Sequence, residues 1–160
     1  MTSYARSANR EREIIAEARL VGWSGVRSAG SHGASDVLLG YSGDRGRVRL
    51  AVQVKLGTSQ FREDERQHIR KMARDFDALP ILAWRKKRNE HYFFYVMKEK
   101  KDDVPIEDWV SLLLYPGQEA FKLREQVALA LSKRRLKAMR GKSPGPPSNP
   151  DAAPSESPSQ

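Results

Sequence analysis

Asp36 opens a predicted strand directly after a polar, glycine-bearing loop, and Gln53-Val54-Lys55 lies in the strand that follows. Gln53 and Lys55 are two residues apart, so on an extended chain they share a face. The intervening turn, Gly43-Asp44-Arg45-Gly46, centres between Asp44 and Arg45. Antiparallel pairing about that centre sets Gln53 opposite Asp36, and directly opposed residues have Cβ atoms about 5 Å apart. A carboxylate, an amide oxygen and an ammonium would then crowd one patch. The register matters, because a slip of one residue sends these side chains to the other face. A fourth group joins from upstream. Ile14, Ile15 and Ala18 follow Glu11 at helical spacing, which puts Glu11 on the apolar stripe of a helix that faces the sheet. A carboxylate aimed at a core is costly unless a cation meets it.

Those residue types suit a hard divalent cation. Mg²⁺ takes oxygen ligands at about 2.0–2.1 Å and keeps several waters. Asp36, the side-chain oxygen of Gln53 and the backbone carbonyl of Val54 can supply them, with Glu11 joining directly or through water. A cation there polarises a phosphate oxygen and lowers the pKa of a bound water. Lys55 orients that water or holds the scissile phosphate as a point charge. The reaction is phosphodiester hydrolysis by in-line attack. The plainer alternative is a turn-capping Asp beside a solvated Gln and Lys. The core-facing Glu11 and the charge of the chain weigh against it.

Stepping outward, the elements that must position this patch follow from periodicity. Helical spacing predicts a helix over 4–21, closed by Gly22, and a short strand over 23–27. A small, polar loop follows to residue 34, then a hairpin of strands 36–41 and 48–55. In its second strand Val48, Leu50, Val52 and Val54 point one way, and Arg49, Ala51, Gln53 and Lys55 the other. A helix is predicted over 63–77, strands over 80–84 and 91–96, and helices over 106–115 and 117–140. This order predicts an α/β fold, a mixed sheet flanked by helices.

The 160 residues hold 29 Lys+Arg against 20 Asp+Glu, a net charge of +9. Residues 141–160 carry six of the nine prolines and no large apolar residue, so they are expected to be a disordered tail. A basic body points to a polyanionic partner, most simply nucleic acid. The chain has no cysteine, which excludes disulfide scaffolds, thiolate metal sites and thiol nucleophiles. Its apolar runs are too short to cross a bilayer, and the first residues lack the apolar core of a signal peptide. A cytoplasmic protein with no membrane partner is expected.

At these residues the chain resembles the archaeal-type Holliday junction resolvases of the PD-(D/E)XK nuclease superfamily. The matching segments are Glu11-Arg12-Glu13-Ile14-Ile15, Gly22-Trp23, Val26-Arg27-Ser28-Ala29-Gly30-Ser31, Asp36-Val37 and Val52-Gln53-Val54-Lys55. Order and spacing agree to about residue 96. The resemblance implies a restriction-endonuclease-like fold and a homodimeric, Mg²⁺-dependent endonuclease that makes paired nicks across a four-way DNA junction. Within it Glu11 matches the helix carboxylate, Asp36 the metal-binding Asp, Lys55 the catalytic Lys and Ser31 the loop serine beside the site. Arg12 and Arg27 match basic residues that meet DNA. The one departure is Gln53, where the family has Glu. A neutral amide removes a negative charge, which weakens the metal site or favours Mn²⁺.

The expected organisation is a nuclease core over 1–97, a helical extension over 98–140 and the tail over 141–160. Lys133, Arg134 and Arg135, in the basic end of the last helix, are expected to contact the phosphate backbone, and His32 to touch phosphate from the loop. His68 and His91 show no ligand spacing. Two other readings compete with the junction resolvase: a related nuclease acting on other DNA in restriction, repair or a phage, and a structure-specific DNA-binding module with a crippled metal site.

Overall fold

A computed structural model describes residues 3–28, 35–57, 61–87, 90–98 and 103–140. Its order is α1 (Ser3–Leu20), β1 (Ser24–Arg27), β2 (Val37–Gly43), β3 (Gly46–Leu56), α2 (Glu63–Asp75), β4 (Leu79–Arg85), β5 (Phe93–Val96), β6 (Val104–Ile106), α3 (Trp109–Leu114) and α4 (Pro116–Arg140). Among the described residues six strands form one mixed sheet in the order β1-β2-β3-β4-β5-β6, in which only the β3–β4 pairing is parallel. A parallel neighbour needs a crossover, and α2 supplies it.

The alternation of apolar residues in β3 makes the sheet two-sided. Val48, Leu50, Val52 and Val54 join Ile14, Ile15 and Ala18 of α1 in the larger core. Ala51 meets Ile69 and Ala73 of α2 in a smaller core on the opposite face. The hairpin turn is fixed by Gly43 paired with Gly46, whose φ of 106° lies in the left-handed region. That turn sets the register all the way to Val37 opposite Val52.

Residues 103–128 complete this body. β6 pairs with β5, a three-residue edge strand that tolerates Pro105 because it has a neighbour on one side only. The helix expected over 106–115 starts at Trp109, where Asp108 caps it by accepting from the Ser111 N–H at 2.8 Å. Trp109 stacks on Phe94 with ring centroids 3.9 Å apart, and Leu112 and Leu113 enter the larger core. The indole N–H of Trp23 donates to the Leu113 carbonyl at 2.9 Å. The start of α4 sits against the hairpin turn: the Gly117 N–H donates to the Arg45 carbonyl, and a Cβ at Gly117 would collide with that oxygen. The chain divides into two compact units, Met1–Ala128 and Leu129–Gln160.

Candidate active site

β2 and β3 bring the predicted group together. Beyond the last ladder pair of Val37 with Val52, the Asp36 N–H donates to the Val52 carbonyl at 3.0 Å, and the chain bends away. The Asp36 side chain turns back onto β3. Its Oδ2 accepts from the Gln53 Nε2–H at 2.6 Å and from the Val54 backbone N–H at 2.8 Å. Val54 therefore meets Asp36 through its N–H. In an extended chain the N–H and C=O of one residue leave on the same side, so the Val54 carbonyl faces the same edge of β3. Both hydrogen bonds that Asp36 receives among the described residues fall on one oxygen, Oδ2.

Lys55 lies one alternation further on. Its ammonium is largely covered and donates to Glu65 Oε1 on α2 at 2.8 Å. The same ammonium sits 5.4 Å from the centre of the Phe61 ring, whose neighbourhood also holds the Arg66 guanidinium at 4.9 Å. Arg66 is buried and pairs with Asp103 at 2.6 Å, which ties the first turn of α2 to the segment before β6.

Glu11 arrives from α1, on the opposite face of the sheet from Gln53, Lys55 and α2. It is 5% exposed and its Oε2 accepts from Arg27 Nε at 2.6 Å. The cationic partner demanded by a core-facing carboxylate is thus a side chain on β1. The two faces meet at the end of β2, where the charges of Glu11 and Glu65 both act on Asp36. Burial raises the Asp36 pKa above the ordinary carboxylate range. The Val54 N–H works against that, Glu11 reinforces it, Lys55 opposes it and Glu65 reinforces it. Glu65 itself lies below its ordinary value: burial would raise it, but the Lys55 hydrogen bond and the Arg62 N–H outweigh burial.

Among the described residues, no three carboxylate or imidazole groups converge as a ready-made metal cage. The donor set fits a cation that takes one or two carboxylates and keeps its waters. It offers the Asp36 carboxylate, the amide of Gln53 and the Val54 carbonyl, where burial and then the charges of Glu11 and Glu65 already burden Asp36.

The basic residues divide. Arg12, Arg19 and Arg27 line a groove between α1 and β1, with Ile15, Ala16, Gly25 and Val26. Arg12 is exposed and donates to Asn9 at 2.9 Å, and Arg19 donates to the Gly25 carbonyl at 2.9 Å. Lys133, Arg134 and Arg135 lie on the part of α4 that belongs to the second compact unit; Lys133 and Arg135 are exposed and Arg134 is half-buried. Arg85 lies 4.4 Å from the Tyr92 ring centre and 3.5 Å from Glu13. Ser31 and His32 lie outside the described residues. Glu65 is the member of the cluster that sequence reasoning passed over. Its position in a helix first turn is explained by capping and dipole alone, and only the tertiary fold shows its reach to Lys55.

The family model for archaeal Holliday junction resolvases matches residues 2–140. A solved structure of Archaeoglobus fulgidus Hjc, described as a Holliday junction resolvase from an archaeal hyperthermophile, shares 23% identity. The alignment covers 66% of this chain and 88% of that one, with a TM-score of 0.46. No curated protein sequence matches the chain.

Proposed function

The chain belongs to the archaeal Holliday junction resolvase family, and on that premise we propose that Glu11, Asp36, Gln53 and Lys55 form the centre with which this nuclease cuts four-way DNA junctions, using Mg²⁺. The observation that carries the assignment is the joint hold of Gln53 and Val54 on one oxygen of Asp36. It holds the carboxylate in place by one oxygen, and neither of these two bonds uses the other.

Each residue then has a task set by its contacts. Asp36 is the anionic anchor, and its burdened charge gains most from a cation. Gln53 and Val54 supply neutral oxygens beside it. Glu11, held by Arg27, adds negative charge from the α1 side without crowding the first position. When bound, a divalent ion supplies Lewis-acid polarisation of the phosphate and a more acidic water. Lys55 offers an ammonium that a phosphate oxygen can take over from Glu65. Mn²⁺ substitutes well, because a neutral Gln53 lowers the charge that a strictly octahedral Mg²⁺ relies on.

Arg12 and Arg27 form the near end of the DNA path, beside the site; Ser31 and His32 precede Asp36 in the sequence, and Lys133, Arg134 and Arg135 are proposed as further phosphate contacts. A four-way junction asks for two coordinated nicks, which a symmetric dimer provides. A second copy would cover the apolar groove on the α2 side of β1 and β2, where Val26 is 60% and Phe76 59% exposed. Sedimentation of the full chain is expected to give a dimer, and a monomer at micromolar concentration would count against it.

The test is cleavage of a synthetic four-way junction and of a linear duplex of the same arms, with Mg²⁺, Mn²⁺ or chelator. Junction-selective, cation-dependent nicking is expected. Equal cutting of both substrates would point to a nuclease of other DNA, and tight binding with no cleavage in either ion to a binding module.

A further inference from the structure

The first turn of α2 carries a carboxylate whose two oxygens have different partners. Glu65 Oε2 accepts from the Arg62 backbone N–H at 2.9 Å, the bond of a helix capping box. Glu65 Oε1 accepts from the Lys55 ammonium at 2.8 Å. Capping needs only the first of these. The second is directed off the helix onto β3, into the same cluster as Asp36 and Gln53. Two further contacts hold the turn in that position. The buried Arg66–Asp103 pair anchors the next residue along, and the Phe61 ring lies against both the Lys55 and the Arg66 cations.

This placement meets a deficit on β3. Position 53 carries no charge, so the strand contributes one ammonium, from Lys55, and no carboxylate. Without Glu65 the α2 side of the site would hold Asp36 and Lys55 alone. We propose that Glu65 is a positioning residue of the cation site: delivered from α2 instead of β3, it supplies the negative charge that Gln53 lacks and holds Lys55 beside Asp36. The idea rests on the metal-dependent reading above and adds a residue to it. No direct bond from Glu65 to the cation is required, since a carboxylate in the outer layer of a metal site acts through charge and through the groups it orients.

The experiment is titration of the full chain with Mn²⁺ in the absence of DNA, followed calorimetrically and by the loss of the free-ion electron paramagnetic resonance signal. The variants are Glu65→Gln, Gln53→Glu and the two together. Glutamine at position 65 still accepts the Arg62 N–H, so the capping box and the fold are retained. Glu65→Gln is expected to weaken Mn²⁺ binding by roughly ten- to a hundredfold, the usual effect of losing an outer-layer carboxylate. Gln53→Glu should tighten it, and the double variant should return toward wild type, because the two positions exchange one charge. Mn²⁺ affinity unchanged in Glu65→Gln, while wild type binds the ion, would overturn this inference and leave the metal-dependent reading standing. Failure of the double variant to recover would also overturn it. A wild-type chain that neither binds Mn²⁺ nor cuts would overturn the metal-dependent reading itself, and this inference with it.

Discussion

Gln53 donates its side-chain N–H to Asp36 across the first step beyond the β2–β3 ladder, at 2.6 Å. An amide at that position lets the two side chains pair with no cation between them. A glutamate would bring a second carboxylate to the same distance and make the pair depend on a cation. Gln53→Glu is therefore expected to destabilise the chelated protein by roughly 1–3 kcal/mol, the cost of a lost part-buried hydrogen bond, and so to lower its Tm. Added Mg²⁺ should restore that Tm, and junction cleavage should rise. Thermal melts with and without Mg²⁺ check this; a variant whose Tm ignores Mg²⁺ would contradict it.

Asp36 also carries a stability consequence with a definite sign. Its pKa is raised in the folded chain, first by burial and then by Glu11 and Glu65. The folded state thus holds the proton more tightly than the unfolded state does. As pH climbs from the ordinary carboxylate range through the raised value, this residue subtracts stability, and the deficit is complete above that value. Asn at 36 keeps an oxygen for both the Gln53 and Val54 donors, since both use Oδ2 alone, and removes the charge. Asp36→Asn is expected to raise the Tm of the cation-free protein at pH 7 by a few degrees, to have little effect at pH 3, and to abolish cleavage. A Tm gain that does not fade on acidification would contradict the electrostatic cause.

The Arg66–Asp103 pair tests whether the segment before β6 secures α2. The two side chains are 7% and 10% exposed, and Asp103 also accepts from the Lys98 N–H at 3.1 Å. Removing one partner strands a buried charge, a loss of about 3–5 kcal/mol. Asp103→Ala and Arg66→Met should each shift the urea midpoint strongly, and together by clearly less than the sum of the two. Additive shifts would show that the pair does not act as a unit.

The contact of Gly117 with the hairpin turn makes a matching prediction for the other end of the body. Its N–H reaches the Arg45 carbonyl, and Arg45 Nη1 donates to the Leu114 carbonyl at 2.6 Å. Gly117→Ala forces the two backbones apart and is expected to cost about 1–3 kcal/mol, a Tm lower by several degrees. Unchanged stability would mean that α4 begins without leaning on the turn.

Much of this was legible in the chain because it depends on local signals. The short turn at Asp44 and Arg45 fixes the pairing of β2 with β3, so the meeting of Asp36 with Gln53 follows from counting. The apolar spacing after Glu11 announces its burial. Four features were not legible, for physical reasons. Val104-Pro105-Ile106 is too short to show alternation, and the proline argues against a strand until its edge position is known. Trp109, Leu112 and Leu113 read equally well as an appended amphipathic helix, and only the fold shows them in the larger core. The reach of Glu65 to Lys55, and the arrival of Glu11 from the opposite face, are tertiary relations between elements whose own sequences are satisfied without them.

The most direct test of the central claim is junction cleavage by wild type and Asp36→Ala in Mg²⁺, with junction binding measured on the same samples. The account predicts that the variant still binds the four-way junction but no longer cuts it, while wild type does both. Cation-dependent cleavage at the wild-type rate by Asp36→Ala would contradict it.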